Sequence, residues 1–133
     1  MKKKCIQVAA GIIFDDQKNV LIAERLPSQY KSGLWEFPGG KFEHEEYAFQ
    51  TLQRELMEEI GIHVKSAQYW LKVAHEYEER IVVLEAWVVK NFTGTPRGAE
   101  GQKIRWIKPE ELNQYEFPEG NKIMLDRFHE IVL

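Results

Sequence analysis

The sequence predicts an α/β fold, of the α/β or α+β sandwich type, in which helices cover the faces of a β-sheet. Three observations support this prediction. Segments rich in β-branched and aromatic residues recur along the chain, strong helix formers fill one central segment, and an amphipathic segment ends the chain. A chain of 133 residues can bury one core, so we expect residues 1–133 to form one domain.

The N-terminal third is predicted to consist mainly of strands. Residues 6–14 are mostly apolar with several β-branched side chains, and a polar turn connects them to a second strand at residues 20–23. A loop follows at residues 27–33. We expect a short extended segment at residues 35–37, which the Pro-Gly-Gly tripeptide at residues 38–40 breaks.

The longest predicted helix covers residues 45–60. It contains neither glycine nor proline, and its strong helix formers include Ala48, Leu52 and Leu56. Gly61 follows directly, where a glycine commonly ends a helix in the left-handed conformation.

The C-terminal half is predicted to return to strands before it ends in a helix. Two long strands at residues 64–77 and 80–89 flank a glutamate-rich turn, and a further strand covers residues 103–107. A proline at the first position favours a short helical turn at residues 109–112. A final helix is expected at residues 121–131, with an apolar side formed by Ile123, Met124, Phe128 and Ile131.

Composition and charge restrict the partners of the protein. Its net charge of −3 argues against binding to a nucleic-acid polymer, which usually requires a basic patch. Cys5 is the only cysteine, which excludes an internal disulfide and is compatible with a reducing compartment. No apolar run approaches the roughly 20 residues that span a bilayer, and the N-terminal segment lacks a convincing signal-peptide cleavage site. We therefore expect a cytoplasmic protein without membrane contact.

Three glutamates crowd one side of the central helix. At about 100° per residue, Glu55, Glu58 and Glu59 occupy one arc beside the apolar stripe, where like charges destabilise a helix. A solvated acidic face is one interpretation. The other is that a hard divalent cation, Mg²⁺ or Mn²⁺, neutralises the carboxylates. Gly39 and Gly40 precede the helix and allow close approach of backbone to a ligand, so the combination favours a polyphosphate site.

The spacing of these residues matches the Nudix box. Residues 40–62 fit every position of G-x5-E-x7-R-E-U-x-E-E-x-G-U, in which U is aliphatic. Seven fixed identities arise by chance with a probability on the order of 10⁻⁸ per start position. The sequence is therefore identified as a member of the Nudix family. This resemblance implies the Nudix fold, a mixed β-sheet sandwiched between α-helices, and Mg²⁺- or Mn²⁺-dependent hydrolysis of a nucleoside diphosphate linked to another group.

Outside the box, the chain resembles the MutT-type 8-oxo-dGTP diphosphatases over nearly its whole length. Several short segments occur in the same order and at similar spacing, among them Glu36 to Lys41, Glu76-Tyr77, Glu100-Gly101-Gln102, and Phe117-Pro118 followed by Asn121. The resemblance implies attack of water on the β-phosphorus, which yields a nucleoside monophosphate and pyrophosphate and removes mutagenic nucleotides from the pool. We expect a monomer that acts on a small-molecule nucleotide.

The same resemblance implies roles for individual residues. The expected metal ligands are the carbonyl of Gly40 and the carboxylates of Glu55, Glu58, Glu59 and Glu100. Glu100 either binds a second metal ion or orients the attacking water, although a solvated loop glutamate is the alternative. Arg54 is expected to orient a glutamate through a bidentate contact, with Glu46 as a candidate partner. The residue that accepts the proton of the water is left open.

Nucleotide contacts are implied at further positions. Arg25 follows a strand and resembles the family's phosphate-binding arginine, and Lys41 lies beside the glycines; both also fit solvated charges. Arg80 and the backbone of Phe37 resemble supporting contacts to the base.

Asn121 is the candidate reader of the base. Oxidation of guanine at C8 converts N7 from a hydrogen-bond acceptor into a donor, while O6 remains an acceptor. An asparagine amide offers one acceptor and one donor group, so it can pair with both atoms, whereas the N7 lone pair of ordinary guanine opposes the amide oxygen. The alternative is that Asn121 only caps the C-terminal helix.

Two other functions are compatible with the sequence. Residues 33–37, Gly-Leu-Trp-Glu-Phe, also resemble Nudix pyrophosphohydrolases of CTP or 5-methyl-dCTP. A Nudix-like sensor that binds a nucleotide without turnover is the alternative of another class, and it is disfavoured because such proteins usually lose glutamates of the box.

Overall fold

The computed structural model describes residues 2–28 and 32–133, so part of the predicted loop at residues 27–33 lies outside the described residues. Within these ranges the strands are β1 (Lys4–Ile12), β2 (Val20–Glu24), β3 (Trp35–Glu36), β4 (Gly39–Lys41), β5 (His63–Glu76), β6 (Arg80–Thr93) and β7 (Ile104–Ile107). The α-helices are α1 (Ala48–Ile60) and α2 (Lys122–Asp126). The 3-10 helices are Pro109–Gln114, Glu119–Asn121 and Phe128–Glu130.

The strands form two sheets. The larger sheet has the order β4-β1-β6-β5; β1 runs parallel to β6, and the other neighbouring pairs are antiparallel. The smaller sheet is antiparallel and has the order β3-β2-β7. This mixture of parallel and antiparallel strands with flanking helices confirms the predicted α/β fold class.

Two hydrophobic clusters hold the sheets and helices together. One cluster joins α1 to the strands through the fully buried side chains of Leu52, Leu56 and Ile60. The other joins the two sheets to the C-terminal segment through Phe37, Met124, Phe128 and their neighbours. Full burial of one such side chain stabilises the fold by about 1.5–3 kcal/mol, so the apolar stripe fixes the rotation of α1 about its axis. That rotation decides where its glutamates point.

The central helix begins later than the sequence predicts. Glu45 has a φ of 64°, outside the right-handed helical region, and α1 starts only at Ala48. Tyr47 is the N-cap residue, and its backbone N–H donates to Oε1 of Gln50 at 2.8 Å. Gly61 ends the helix with a φ of 72°, as predicted, and its N–H donates to the carbonyl of Met57.

The glycine pair forms a strand, which the sequence pattern did not predict. Gly39 and Gly40 pair with Ala10 and Ala9 of β1, so only Pro38 and Phe37 separate β3 in one sheet from β4 in the other. A Cβ atom on Gly39 would overlap the backbone of Ala9. The absence of side chains therefore allows β4 to lie close against β1.

The C-terminal segment is not one helix over residues 121–131. The five-residue helix α2 is followed by the 3-10 helix Phe128–Glu130. A helix of little more than one turn does not carry a 3.6-residue periodicity through to the chain end. Met124 and Phe128 are buried as expected, but the side chain of Ile123 is 52% exposed, contrary to the prediction.

The predicted helical turn at residues 109–112 is the 3-10 helix Pro109–Gln114, and it begins with the proline as predicted. Among residues 2–28 and 32–133, no helix has the length and apolar character needed to cross a bilayer.

Candidate active site

A cavity of about 330 Å³ opens beside the larger sheet. Its apolar floor consists of alternate residues of two paired strands, Ile6, Val8 and Ala10 of β1 with Val82 and Leu84 of β6. Its polar wall contains most of the residues predicted from the sequence, namely Arg25, Phe37, Gly40, Lys41, Glu55, Glu59, Arg80, Glu100 and Asn121. The fold thus brings segments from the whole length of the chain to one site.

Glu59 is the most deeply placed carboxylate of this wall. Its residue is only 7% exposed, and its Oε2 accepts a hydrogen bond from the N–H of Gly39 at 3.3 Å. Burial, followed by the nearby Glu36 carboxylate, raises the pKa of Glu59 from 4.5 to about 9. Burial likewise raises the pKa of Glu55. The folded protein therefore holds these carboxylates in surroundings that disfavour their charged form.

Arg54 organises the outer part of the acidic cluster. Its guanidinium makes a bidentate contact with Glu46, Nε to Oε2 at 2.8 Å and Nη2 to Oε1 at 2.9 Å. It also donates to Oε2 of Glu55 at 2.8 Å and to the carbonyl of Lys41 at 2.9 Å. The contact with Arg54 lowers the pKa of Glu46 to about 2. Arg54 thereby connects Glu46, which precedes the helix, to Glu55 of α1.

Glu58 lies apart from the other two glutamates of α1. Its side chain is 53% exposed and does not line the cavity. Its Oε2 lies 3.4 Å from Nη1 of Arg54.

In the part of the chain that the structure describes, no three Asp, Glu, His or Cys side chains converge as a preformed metal site. The donor set still fits a hard divalent cation. Glu59 and Glu55 offer crowded, partly buried oxygens whose mutual repulsion a cation would relieve. Oε2 of Glu59 accepts the N–H of Gly39, and a carboxylate has further lone pairs that can bind a cation.

The loop that carries Glu100 is tied to the C-terminal end of α1. The side chain of Gln102 is buried, accepts the N–H of Glu100 at 3.0 Å and donates to the carbonyl of Glu59 at 2.8 Å. The N–H of Ala99 also donates to the carbonyl of Glu59, at 3.1 Å. These bonds fasten the loop of Glu100, which lines the cavity, to the end of α1. Gln102 was not predicted as a site residue, because its bridging role is visible only in three dimensions.

Arg25 is engaged by a carboxylate inside the cavity. Its guanidinium forms an ion pair with Glu36, and both residues belong to the cavity wall. Burial nevertheless raises the pKa of Glu36, because it outweighs the opposing effect of Arg25. Glu36 was not predicted as a site residue, although it directly precedes Phe37. Its contact with Arg25 follows from the pairing of β2 with β3, which a local sequence pattern does not report.

The far end of the cavity carries the candidate base-reading residue. Asn121 is 7% exposed and ends the 3-10 helix Glu119–Asn121. Its side chain makes no cap hydrogen bond to α2, which contradicts the capping alternative, and no hydrogen bond from it is found among residues 2–28 and 32–133. Tyr77, which was not predicted, lines the same end together with Arg80 and Pro118. The amide of Asn121 therefore remains available to a ligand.

Trp35 is a structural side chain. It lies outside the cavity wall, its ring contacts Tyr115 edge-on at 5.3 Å, and the guanidinium of Arg105 lies 5.3 Å from its centroid. The ring contributed by this part of the chain to the wall is instead Phe37, which stacks on Phe128 and is 3% exposed.

Comparison with known proteins decides the family. Residues 9–127 match the family model of the NUDIX domain. This chain belongs to the Nudix family. Nudix hydrolases generally need a divalent metal ion, in agreement with the donor set of the cavity.

Its relatives within the Nudix family carry two different names. A CTP pyrophosphohydrolase of Escherichia coli K12 is 41% identical to this chain, over 94% of this chain and 92% of the relative. An 8-oxo-dGTP diphosphatase of Haemophilus influenzae is 38% identical, over 96% of this chain and 93% of the relative. A solved MutT structure, from work on Aliivibrio salmonicida and Vibrio cholerae, is 36% identical with a TM-score of 0.80, and covers 96% of this chain and 98% of its own.

The two glycines of the Nudix box region should respond differently to alanine. A Cβ on Gly39 would overlap the backbone of Ala9, which cannot yield, whereas a Cβ on Gly40 would overlap only the flexible end of Glu55. We expect Gly39→Ala to lower stability by about 2 kcal/mol or more. Gly40→Ala should leave the melting temperature within a few degrees but reduce kcat at least about tenfold, because Glu55 moves. Thermal melts and pyrophosphate release on both variants test this; equal stability losses would contradict it.

The metal-free Nudix domain should lose stability as the pH rises. The pKa of Glu59 is raised from 4.5 to about 9 on folding, so its stabilising contribution is present at low pH and is lost progressively between these values. We expect the unfolding free energy in EDTA to fall by up to about 1.4 kcal/mol per pH unit in this window. Glu59→Gln should reduce this slope. Denaturant unfolding at several pH values measures it, and an identical slope in both proteins would refute the assignment.

Proposed function

We propose that this protein is an 8-oxo-dGTP diphosphatase that hydrolyses 8-oxo-dGTP to 8-oxo-dGMP and pyrophosphate and so cleanses the nucleotide pool. One observation carries the proposal. The buried amide of Asn121, which makes no cap hydrogen bond, faces the same cavity as the carboxylates of Glu55 and Glu59. The volume of the cavity, about 330 Å³, suits a small-molecule nucleotide, and we propose that the protein acts on it as a monomer.

The carboxylate end of the cavity is assigned to phosphate chemistry. Mg²⁺, with Mn²⁺ as a substitute, would be held by Glu55, Glu59 and Glu100 with the carbonyl of Gly40, which all line the cavity. Glu58, the remaining predicted ligand, would have to turn away from Arg54 to join them. When bound, the ion cancels phosphate charge and lowers the pKa of water. Arg54 keeps Glu55 in place through its charge-assisted hydrogen bond, and its own position is set by the bidentate contact with Glu46.

Cationic side chains at the cavity are assigned to the polyphosphate. Lys41 and Arg25 line the wall next to the carboxylates, so their charges favour an anionic ligand. Arg25 pairs with Glu36. This ion pair would orient the guanidinium of Arg25 while it contacts a phosphate group. Glu36 is thus a positioning residue for Arg25.

The opposite end is assigned to the base. The NH₂ group of Asn121 would donate to O6, and its carbonyl oxygen would accept from N7–H, which is present only in the oxidised base. Ordinary guanine presents a lone pair at N7, so the buried amide oxygen would face another acceptor. Ile6, Val8 and Val82 line the apolar floor of the cavity and would contact the flat base. Arg80 and the backbone of Phe37 lie at the same cavity and are proposed as further base contacts.

Hydrolysis of CTP or 5-methyl-dCTP is the second candidate function. The specific observation in its favour is the 41% identity to a protein named CTP pyrophosphohydrolase. Cytosine also presents a donor beside an acceptor, N4–H₂ and N3, so the amide of Asn121 can pair with that base as well, and comparison of the two substrates separates the candidates. A sensor without turnover has less support, because the cavity retains its carboxylates.

A substrate panel tests the proposed function. Steady-state kcat/KM is measured with Mg²⁺ for 8-oxo-dGTP, dGTP, CTP, 5-methyl-dCTP and a dinucleoside polyphosphate. We expect 8-oxo-dGTP to be the best substrate at low concentration, with pyrophosphate as the product. A higher kcat/KM for dGTP or CTP would overturn the proposal, and absence of turnover with every nucleotide would favour the sensor.

A further inference from the structure

The turn that carries Asn121 is attached to a distant hairpin. Tyr77 follows β5 directly, and its phenolic oxygen accepts a hydrogen bond from the N–H of Gly120 at 2.8 Å across 43 positions of sequence. Gly120 immediately precedes Asn121 in the 3-10 helix Glu119–Asn121. The residue that faces the base is therefore covalently next to the residue that Tyr77 holds.

Tyr77 is itself rigidly placed. Its backbone N–H donates to the carbonyl of Arg80 at 2.8 Å, which closes the hairpin, and its carbonyl accepts from Nζ of Lys3 at 2.8 Å. Its ring lies 4.5 Å from that of His75 in an edge-on contact and is buried. The phenolic oxygen is thus an acceptor on a residue that contacts Lys3, His75 and Arg80, all of which lie outside the C-terminal segment.

The packing at Gly120 leaves no clearance. A Cβ atom on this residue would lie 2.7 Å from the phenolic oxygen of Tyr77 and 3.0 Å from Cβ of His75. The turn consequently packs directly against Tyr77 and His75. A change in the size of a side chain on either side of this contact would therefore move Asn121. By contrast, the side chain of Asn121 makes no cap hydrogen bond that would hold the amide in place.

We propose that Tyr77 is a positioning residue for base selection, which sets the location of the Asn121 amide through the N–H of Gly120. This inference rests on the proposed function, because it assumes that Asn121 distinguishes 8-oxo-dGTP from dGTP. A displacement of about 1 Å is enough to weaken a paired donor and acceptor strongly. Tyr77 contacts the turn at the base end of the cavity and not the carboxylates. Its replacement should therefore change the affinity for the substrate and not the rate of the chemical step.

Tyr77→Phe removes the acceptor and keeps the ring. We expect the ratio of kcat/KM for 8-oxo-dGTP over dGTP to fall about tenfold, mainly because KM rises for the oxidised substrate, with kcat within about twofold. Tyr69→Phe is the matched control, since Tyr69 also belongs to β5, is 49% exposed and lies outside the cavity wall. An unchanged ratio in Tyr77→Phe would overturn the inference.

A double-mutant cycle separates positioning from general destabilisation. If Tyr77 acts through Asn121, Tyr77→Phe should leave the already low ratio of Asn121→Ala unchanged within about twofold. An equal loss in both backgrounds would overturn the inference. Hydrogen exchange at the Gly120 amide should be faster in Tyr77→Phe, and an unaltered rate would count against the proposed link.

A second variant perturbs the same contact from the other side. Gly120→Ala places a methyl group against Tyr77 and His75, and we expect the same loss of selectivity even if Tyr77→Phe folds poorly. Retained selectivity in Gly120→Ala would overturn this inference but would leave the proposed function intact. A wild-type enzyme without preference for 8-oxo-dGTP would overturn the proposed function, and the inference with it.

Discussion

Replacing Glu59 with glutamine is expected to reduce kcat for 8-oxo-dGTP by about 1,000-fold or more. The substitution preserves the shape of the side chain, but the glutamine cannot become a negatively charged ligand when a cation binds. Glu59 is only 7% exposed, so little water can take its place. A neutral amide is a far weaker ligand for a hard cation than a carboxylate. Pyrophosphate release under saturating Mg²⁺ is the measurement.

Stability measurements distinguish this effect from unfolding. In the absence of metal, the buried charge of Glu59 opposes folding at high pH, so Glu59→Gln should be at least as stable as the wild type at about pH 8. Saturating Mg²⁺ should raise the melting temperature of the wild type and have a smaller effect on the variant. Glu110→Gln, at a position outside the active-site wall, is the matched control and should retain full activity. Activity of Glu59→Gln within tenfold of the wild type would contradict the assignment.

Replacing Asn121 with alanine is expected to reduce the preference for 8-oxo-dGTP over dGTP by about 100-fold or more. The loss should arise in the oxidised substrate, because only that base offers N7–H to the amide oxygen. Turnover of dGTP should change little, since the carboxylate end of the cavity is untouched. The measurement is kcat/KM for both nucleotides under identical metal concentrations.

Two further variants sharpen the test at this position. Asn121→Asp keeps an acceptor for N7–H but loses the donor to O6, so it should lose part of the preference and also weaken binding through its charge. Asn113→Ala is the matched control, because Asn113 is an exposed asparagine outside the active-site wall. A selectivity ratio that is the same in Asn121→Ala and in the wild type would refute the reading of the base by this amide.

The sequence was most informative where the chemistry is local. The three glutamates of α1, Arg54 and Gly61 lie within one helix and its end, so their relative positions follow from helical geometry and from the motif they match. Their neighbours Leu52 and Leu56 are buried as the periodicity predicted. The helix start was wrong because the left-handed conformation of Glu45 depends on its surroundings, and propensity alone does not indicate it.

Short or irregular elements were predicted less well. The final helix ends at Asp126 and a 3-10 helix follows, in which Phe128 stacks on the distant Phe37. The glycine pair became a strand because β1 offered an open edge at Ala9 and Ala10. Both outcomes depend on partners that are distant in sequence, which a local pattern does not report.

The sequence by itself determined the family, the acidic chemistry of α1 and the candidate status of Asn121. Only the tertiary structure decided that Glu59 is buried while Glu58 is exposed, that Asn121 faces the cavity without capping α2, and that Tyr77 supports it. The physical reason is the same in each case. Burial and long-range hydrogen bonds are set by the packing of segments far apart in the chain, whereas a spacing along one helix is set by its own backbone.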